Sequence, residues 1–127
     1  SKQIKIEAAM MIDLVRRSII PTASEAASRY SASCTNIASI GSNPVVQEAY
    51  AKRIAQLTIK SAEGLDLLEK ALNDATHTEN DLERAKLFRD SVVPLMDELR
   101  KTCDELECIV PQDLWPLPTY GDLLFTL

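Results

Sequence analysis

The 127 residues are poor in the groups that most often bind or react: aromatics are 5% of the chain, glycines number three, and there is one histidine. The glycines stand apart at 41, 64 and 121, so no glycine-rich loop is available to cradle a phosphate. His77 has no second histidine with which to complete a zinc site or the paired Glu-x-x-His motifs of a dimetal bundle, and it reads as a solvated loop residue. No dense Lys/Arg cluster occurs and the net charge is -5, which sets nucleic acid aside as a partner. The longest uncharged run, Tyr30 to Gln47, carries Ser, Thr, Asn, Gly and Pro and makes no membrane span; no signal peptide is visible either. Cys34, Cys103 and Cys108 are odd in number and form no C-x-x-C pair, as expected of free thiols in a reducing cytoplasm.

What is plentiful is Ala, Leu, Ile, Glu and Lys, the composition of helix rather than sheet. From Lys2 to Ile40 the set Ile4, Ala8, Met11, Ile12, Val15, Ile19, Ala23, Ala26, Tyr30, Cys34 and Ile37 recurs at helical spacing. Pro21 interrupts this stripe: it removes one ladder bond and clashes with the carbonyl of Arg17. Either the helix kinks there, or "PTASE" starts a new one with Thr22 as cap and Glu25 completing a capping box. The stripe crosses the proline in phase, which favours the kink. "GSNP", residues 41–44, is a stop and restart, with Gly41 suited to a C-cap, Asn43 to an N-cap and Pro44 to the first helical position.

The second helix carries Val46, Tyr50, Ile54, Leu57, Ser61, Leu65, Leu68, Leu72 and Ala75 on its seam, with Gly64 suited to a close crossing. "THTEND", residues 76–81, is the next turn. A third helix follows with Ala85, Phe88, Val92, Leu95, Met96, Leu99, Cys103, Leu106 and Ile109 on its seam and Pro94 as a second kink. Short loops make successive helices antiparallel neighbours. The expected fold is all-α: a long antiparallel three-helix bundle with proline-kinked helices over residues 1–110, or a four-helix bundle if Pro21 turns the chain fully.

Catalytic constellations are not found. Cys34 and Cys103 fall on the apolar stripes and read as core thiols, while Cys108 sits beside Glu107, where like charge disfavours a thiolate. The acidic run Asp97 to Glu107 alternates with Arg100 and Lys101 and reads as a solvated helix face. No catalytic, metal or cofactor residue is assigned.

After Pro111 the helical period stops. Residues 111–127 are expected to form an extended docking tail of the same domain, because W-P and L-P steps keep the preceding residues out of helix. The candidate docking residues are Trp115, Pro116, Leu117, Pro118, Tyr120, Leu123, Leu124 and Phe125, an apolar and aromatic set typical of interface anchors. Trp115 and Leu117 have two homes open to them, their own bundle or another surface. "DLLFTL" is assigned to a surface outside this chain, since a bundle of this length already has its core.

The segment Phe88 to Phe125, "FRDSVVPLMDELRKTCDELECIVPQDLWPLPTYGDLLF", closely resembles the C-terminal end of type III glutamine synthetases. The matching positions are Arg89, Asp90, Val92, Pro94, Met96, Leu99, Arg100, Asp104, Leu106 and Glu107, then Trp115, Pro116, Pro118, Tyr120, Asp122, Leu123, Leu124 and Phe125. "MIDLVRRSIIP", Met11 to Pro21, matches more loosely; Thr22 and Leu117 depart from the alanine and phenylalanine of the family pattern.

The resemblance implies a parent enzyme that joins ammonia to glutamate with ATP and Mg or Mn in a cytoplasmic double-ring oligomer. It implies no cofactor site in this chain, since the family's metal, ATP and glutamate sites lie on sheet-rich regions upstream. The chain opens within a helical pattern and without Met, as expected of an excised domain. Its expected partners are the remaining domains and subunits of the parent, with self-association of the fragment as a further reading and neither nucleic acid nor membrane. A freestanding adaptor bundle is the alternative.

Overall fold

A computed structural model describes residues 2–118. Among these residues all regular structure is helical. Helix α1 (Lys2–Leu14) passes through a π-helical turn (Val15–Ile19) into α2 (Ile20–Ser39). Helix α3 (Val45–Thr76) follows, and α4 (Asp81–Leu87) passes through a second π-helical turn (Phe88–Val92) into α5 (Val93–Ile109). The result is three helical rods.

Neither proline breaks its rod. In each case the widened turn lies just ahead of the ring: the Ile20 N–H donates to the Val15 carbonyl and the Val93 N–H to the Phe88 carbonyl, both five residues back. Shifting the ladder in this way accommodates a residue that has no N–H and crowds the carbonyl four before it. Pro21 and Pro94 then stand exposed, while Val15 and Ile19, and likewise Phe88 and Val92, stay on the core face. The two turns share a sequence recipe, "VRRSIIP" at 15–21 and "FRDSVVP" at 88–94, each preceded by a leucine. Because the rod continues through Pro21, Thr22 and Glu25 form no capping box; the four-helix alternative loses the chain reversal it needs.

Loop chemistry agrees with the sequence to within a residue. At Gly41, φ is +80°, the left-handed value that favours glycine; its N–H donates to Ala38 O at 3.0 Å and that of Ser42 to Ile37 O at 3.2 Å. Pro44, not Asn43, occupies the cap position of α3, with its carbonyl accepting from Glu48 N–H at 2.9 Å. Asn80 caps α4, its side-chain oxygen accepting from Glu83 N–H at 3.0 Å.

Cross-rod contacts give the register. Arg16 donates twice to the Glu69 carboxylate at 2.9 Å, and Tyr30 meets the Tyr50 ring edge-on at 5.4 Å between centroids, so numbers rise along the first rod as they fall along the second. Arg53 reaches Glu105 at 2.6 Å, and a Cβ on Gly64 would stand 3.3 Å from Leu99 Cδ1, a close crossing of α3 and α5. Such exposed ion pairs add little energy. The energy comes from the core, where Val15, Ile19, Ile54, Leu57, Leu68, Val92, Leu99 and Leu106 are all nearly or fully buried, each worth about 1.5–3 kcal/mol. Buried Ser61 and Thr102 donate their hydroxyls to their own helices, at Leu57 O (2.8 Å) and Glu98 O (3.2 Å).

The expected seams fail chiefly at one end, although Ala85 of the third seam, at the other end, is exposed as well. No residue from 27 to 53 is buried, and Val46 and Tyr50, assigned to the second seam, are 58% and 44% exposed. The third rod ends at Ile109, one turn past the Glu105 that pairs with Arg53, so the facing ends of α2 and α3 project beyond it as a two-helix arm without a third layer. Cys34, expected as a core thiol, lies in this arm and is only half-buried.

Candidate docking surface

Helix α5 stops where Val110 turns extended, with φ -72° and ψ 135°. A turn follows, closed by the Leu114 N–H donating to Pro111 O at 2.9 Å. The chain then doubles back along the groove between α1 and α5. Two fastenings hold this strap. The Arg29 guanidinium grips the Asp113 carboxylate through two bonds of 3.1 Å, and Trp115 is seated against the bundle at 8% exposure with Leu114 and Leu117 packed beside it. The Arg29 hydrogen bond lowers the Asp113 pKa, and the same contact raises that of Arg29.

Of the sequence-assigned tail residues, Trp115 and Leu117 therefore pack on their own bundle. Pro116 and Pro118 are exposed, and Tyr120, Leu123, Leu124 and Phe125 lie outside the described residues. Under the strap remains a recess of about 160 Å³, walled by Met11, Leu14, Ile19, Cys103, Trp115 and Leu117. The indole Nε1–H of Trp115 is buried with no acceptor among the described residues. Desolvation lifts the Cys103 thiol to about 11, with a smaller push from Asp104, so it is neutral at physiological pH.

The second surface is the projecting arm. Ile40 (80% exposed), Val45 (60%) and Val46 crowd its tip, with Tyr50 a turn lower. Its signal in the sequence is the uncharged run Tyr30 to Gln47.

Elsewhere many polar groups pair with one another. In the acidic run, Asp97 pairs with Arg100 and Glu98 with Lys101, both at 3.3 Å, and Glu105 with Arg53. The His77 ring nitrogen Nδ1 lies 2.8 Å from Asn73 O in an exposed turn. Among the described residues no three His, Cys, Asp or Glu side chains are grouped to hold a metal, and no helix is long and apolar enough to cross a membrane. A recess of about 380 Å³ at the far end of the bundle is lined by Lys2, Lys5, Thr76, Arg84 and Phe88. Its cations stand at the C-terminal end of α3, whose last turn has no base of its own, where they complement the helix dipole.

Comparison with known proteins gives three relatives of one kind. The chain is 31% identical over 134 residues to a type-3 glutamine synthetase of Dictyostelium discoideum, covering 98% of this chain and 18% of the relative. It is 38% identical over 77 residues to a glutamine synthetase of Butyrivibrio fibrisolvens, covering 58% and 11%, and 37% identical over 59 residues to one of Bacteroides fragilis (strain YCH46), covering 46% and 8%. The chain thus spans less than a fifth of the length of these relatives. No protein-family model matches it, and no solved structure does.

Proposed function

Since the chain belongs to the type III glutamine synthetase family, we propose that it is the noncatalytic C-terminal helical domain of such an enzyme and serves subunit contacts, assembly or regulation. The observation that carries the reading is a likeness over 98% of this chain to a stretch that is only 18% of a type-3 relative. The surfaces suit contact: an uncharged arm with an apolar tip, and a proline-stiffened strap that leads from Trp115 toward the apolar end Leu123, Leu124 and Phe125. In this reading the three rods form one antiparallel bundle, kinked at Pro21 and Pro94, that holds arm and strap at fixed positions. ATP-dependent ligation of ammonia to glutamate, with its divalent metal, belongs to the rest of the longer protein, in the cytoplasm.

The test is reconstitution. This chain is mixed with the parent synthetase truncated ahead of helix α1, and assembly is followed by light scattering with glutamine formation as readout. Rings and activity that return only with the chain are the expected result. Full assembly and activity without it would defeat the contact role and make the domain an accessory, whose tail binds some other partner.

A further inference from the structure

The arm combines three features found together nowhere else among the described residues. It lacks a third helical layer, since no residue from 27 to 53 is buried. It exposes Ile40, Val45, Val46 and Tyr50 close together. It also coincides with eighteen residues, Tyr30 to Gln47, that contain no Asp, Glu, Lys or Arg, in a chain where charged residues are 26%.

Loss of charge together with exposed aliphatic and aromatic side chains is the composition of an interface centre. A hairpin of two helices buries only one narrow seam, and the compact way to cover its open face is another helix pair, as in a four-helix bundle. The charge pattern indicates which pair. With a net charge of -5, two copies of the chain repel each other over most of their surfaces, whereas an oppositely charged partner would be served by charged residues. On the arm, which carries no charged side chain from Tyr30 to Gln47, that repulsion is absent.

We propose that the arm is a homotypic contact: the α2–α3 tip of one copy packs on that of a second across a two-fold axis, forming a short four-helix bundle. The exposed parts of the four side chains and the small residues between them come to on the order of 500 Å² per arm, so a pair covers about 1,000 Å², near the lower bound for a specific interface. Such a contact is weak alone and gains strength when other contacts of a larger assembly hold the copies together. The inference rests on the contact role proposed above but is tested on the chain by itself.

Sedimentation equilibrium of the 127-residue chain is run from micromolar to millimolar concentration at low and high salt. A reversible dimer is expected, tightened by salt because screening removes the repulsion between the bodies while leaving the uncharged contact intact. Val46→Glu places a charge at the centre of the arm while suiting the first turn of α3, so the melting curve stays unchanged and the dimerisation Kd rises at least tenfold. Leu82→Glu, at a still more exposed apolar position at the opposite end, leaves the Kd unchanged, as does ending the chain at Pro118.

A chain monomeric throughout overturns the proposal, as does a dimer indifferent to Val46→Glu or one lost when residues 119–127 are removed. Each of these results leaves the synthetase reading to the reconstitution, which fails or succeeds separately.

Discussion

Trp115 offers the sharpest test of how the strap is held. It is 8% exposed and closes the groove between α1 and α5. Truncating a buried aromatic to alanine costs about 3–5 kcal/mol. For a domain of this size each kcal/mol moves the melting temperature by about 3–5 °C, so Trp115→Ala should melt roughly 10–25 °C below the parent chain. Trp115→Phe separates the two parts of that effect. It gives up about 1–2 kcal/mol of apolar burial. It also removes an indole N–H buried without an acceptor among the described residues, a state that itself costs about 1–3 kcal/mol. The terms nearly cancel, and a melting temperature within about 5 °C of the parent is expected. The assay is thermal unfolding by circular dichroism. If Trp115→Phe fell as far as Trp115→Ala, the indole would have a partner after all; an unchanged Trp115→Ala would mean the ring is not seated on the bundle.

Three further outcomes are expected. Gly41→Ala forces an L side chain to φ +80° with nothing within 4 Å of the new Cβ, so it should lose about 1–2 kcal/mol from backbone strain alone, and Gly41→Asn less; denaturant midpoints decide. Gly64→Ala gains about 1 kcal/mol of helix propensity and spends it against the Leu99 methyl at 3.3 Å, leaving stability little changed, whereas Gly64→Leu should cost about 1–3 kcal/mol by overpacking, as read from the same midpoints. The strap should loosen in acid: the folded Asp113 pKa is depressed by Arg29, so its contribution is complete above the unfolded value and is lost as pH falls through the folded one, below about pH 4. Trp115, the sole tryptophan, reports this as a red shift of emission, and Asp113→Asn should remove the pH dependence of that step.

Much of the fold was legible along the chain because helix formation and its punctuation are local. The three-and-four spacing located the rods, Gly41 its left-handed turn, and "THTEND" the turn ahead of α4. The π-helical turns were not foreseen, although "VRRSIIP" and "FRDSVVP" announce them as a repeated pattern; a proline in phase with an apolar stripe predicts a disturbance, and only the ladder reveals its form. For the docking surface, the tail was noticed from its W-P and L-P steps, and the structure places its first half on the bundle. The arm was missed because an uncharged stretch on a helical stripe looks the same whether a third helix covers it or not.

Helical class, rod lengths, turn positions and the family can all be read along the chain, since each depends on residue types a few positions apart or on a matching string. The tertiary structure decided which parts of each stripe are core. Val46 and Val92 both occupy apolar seam positions, yet one is 58% exposed and the other fully buried, because burial requires a neighbouring rod and the third rod ends one turn past the Glu105 that pairs with Arg53. It likewise decided that Asp113, 84 residues from Arg29 in sequence, is its partner, and that Trp115 has a seat at home. Such long-range facts come from how three rods of unequal reach are laid together, which no local pattern encodes.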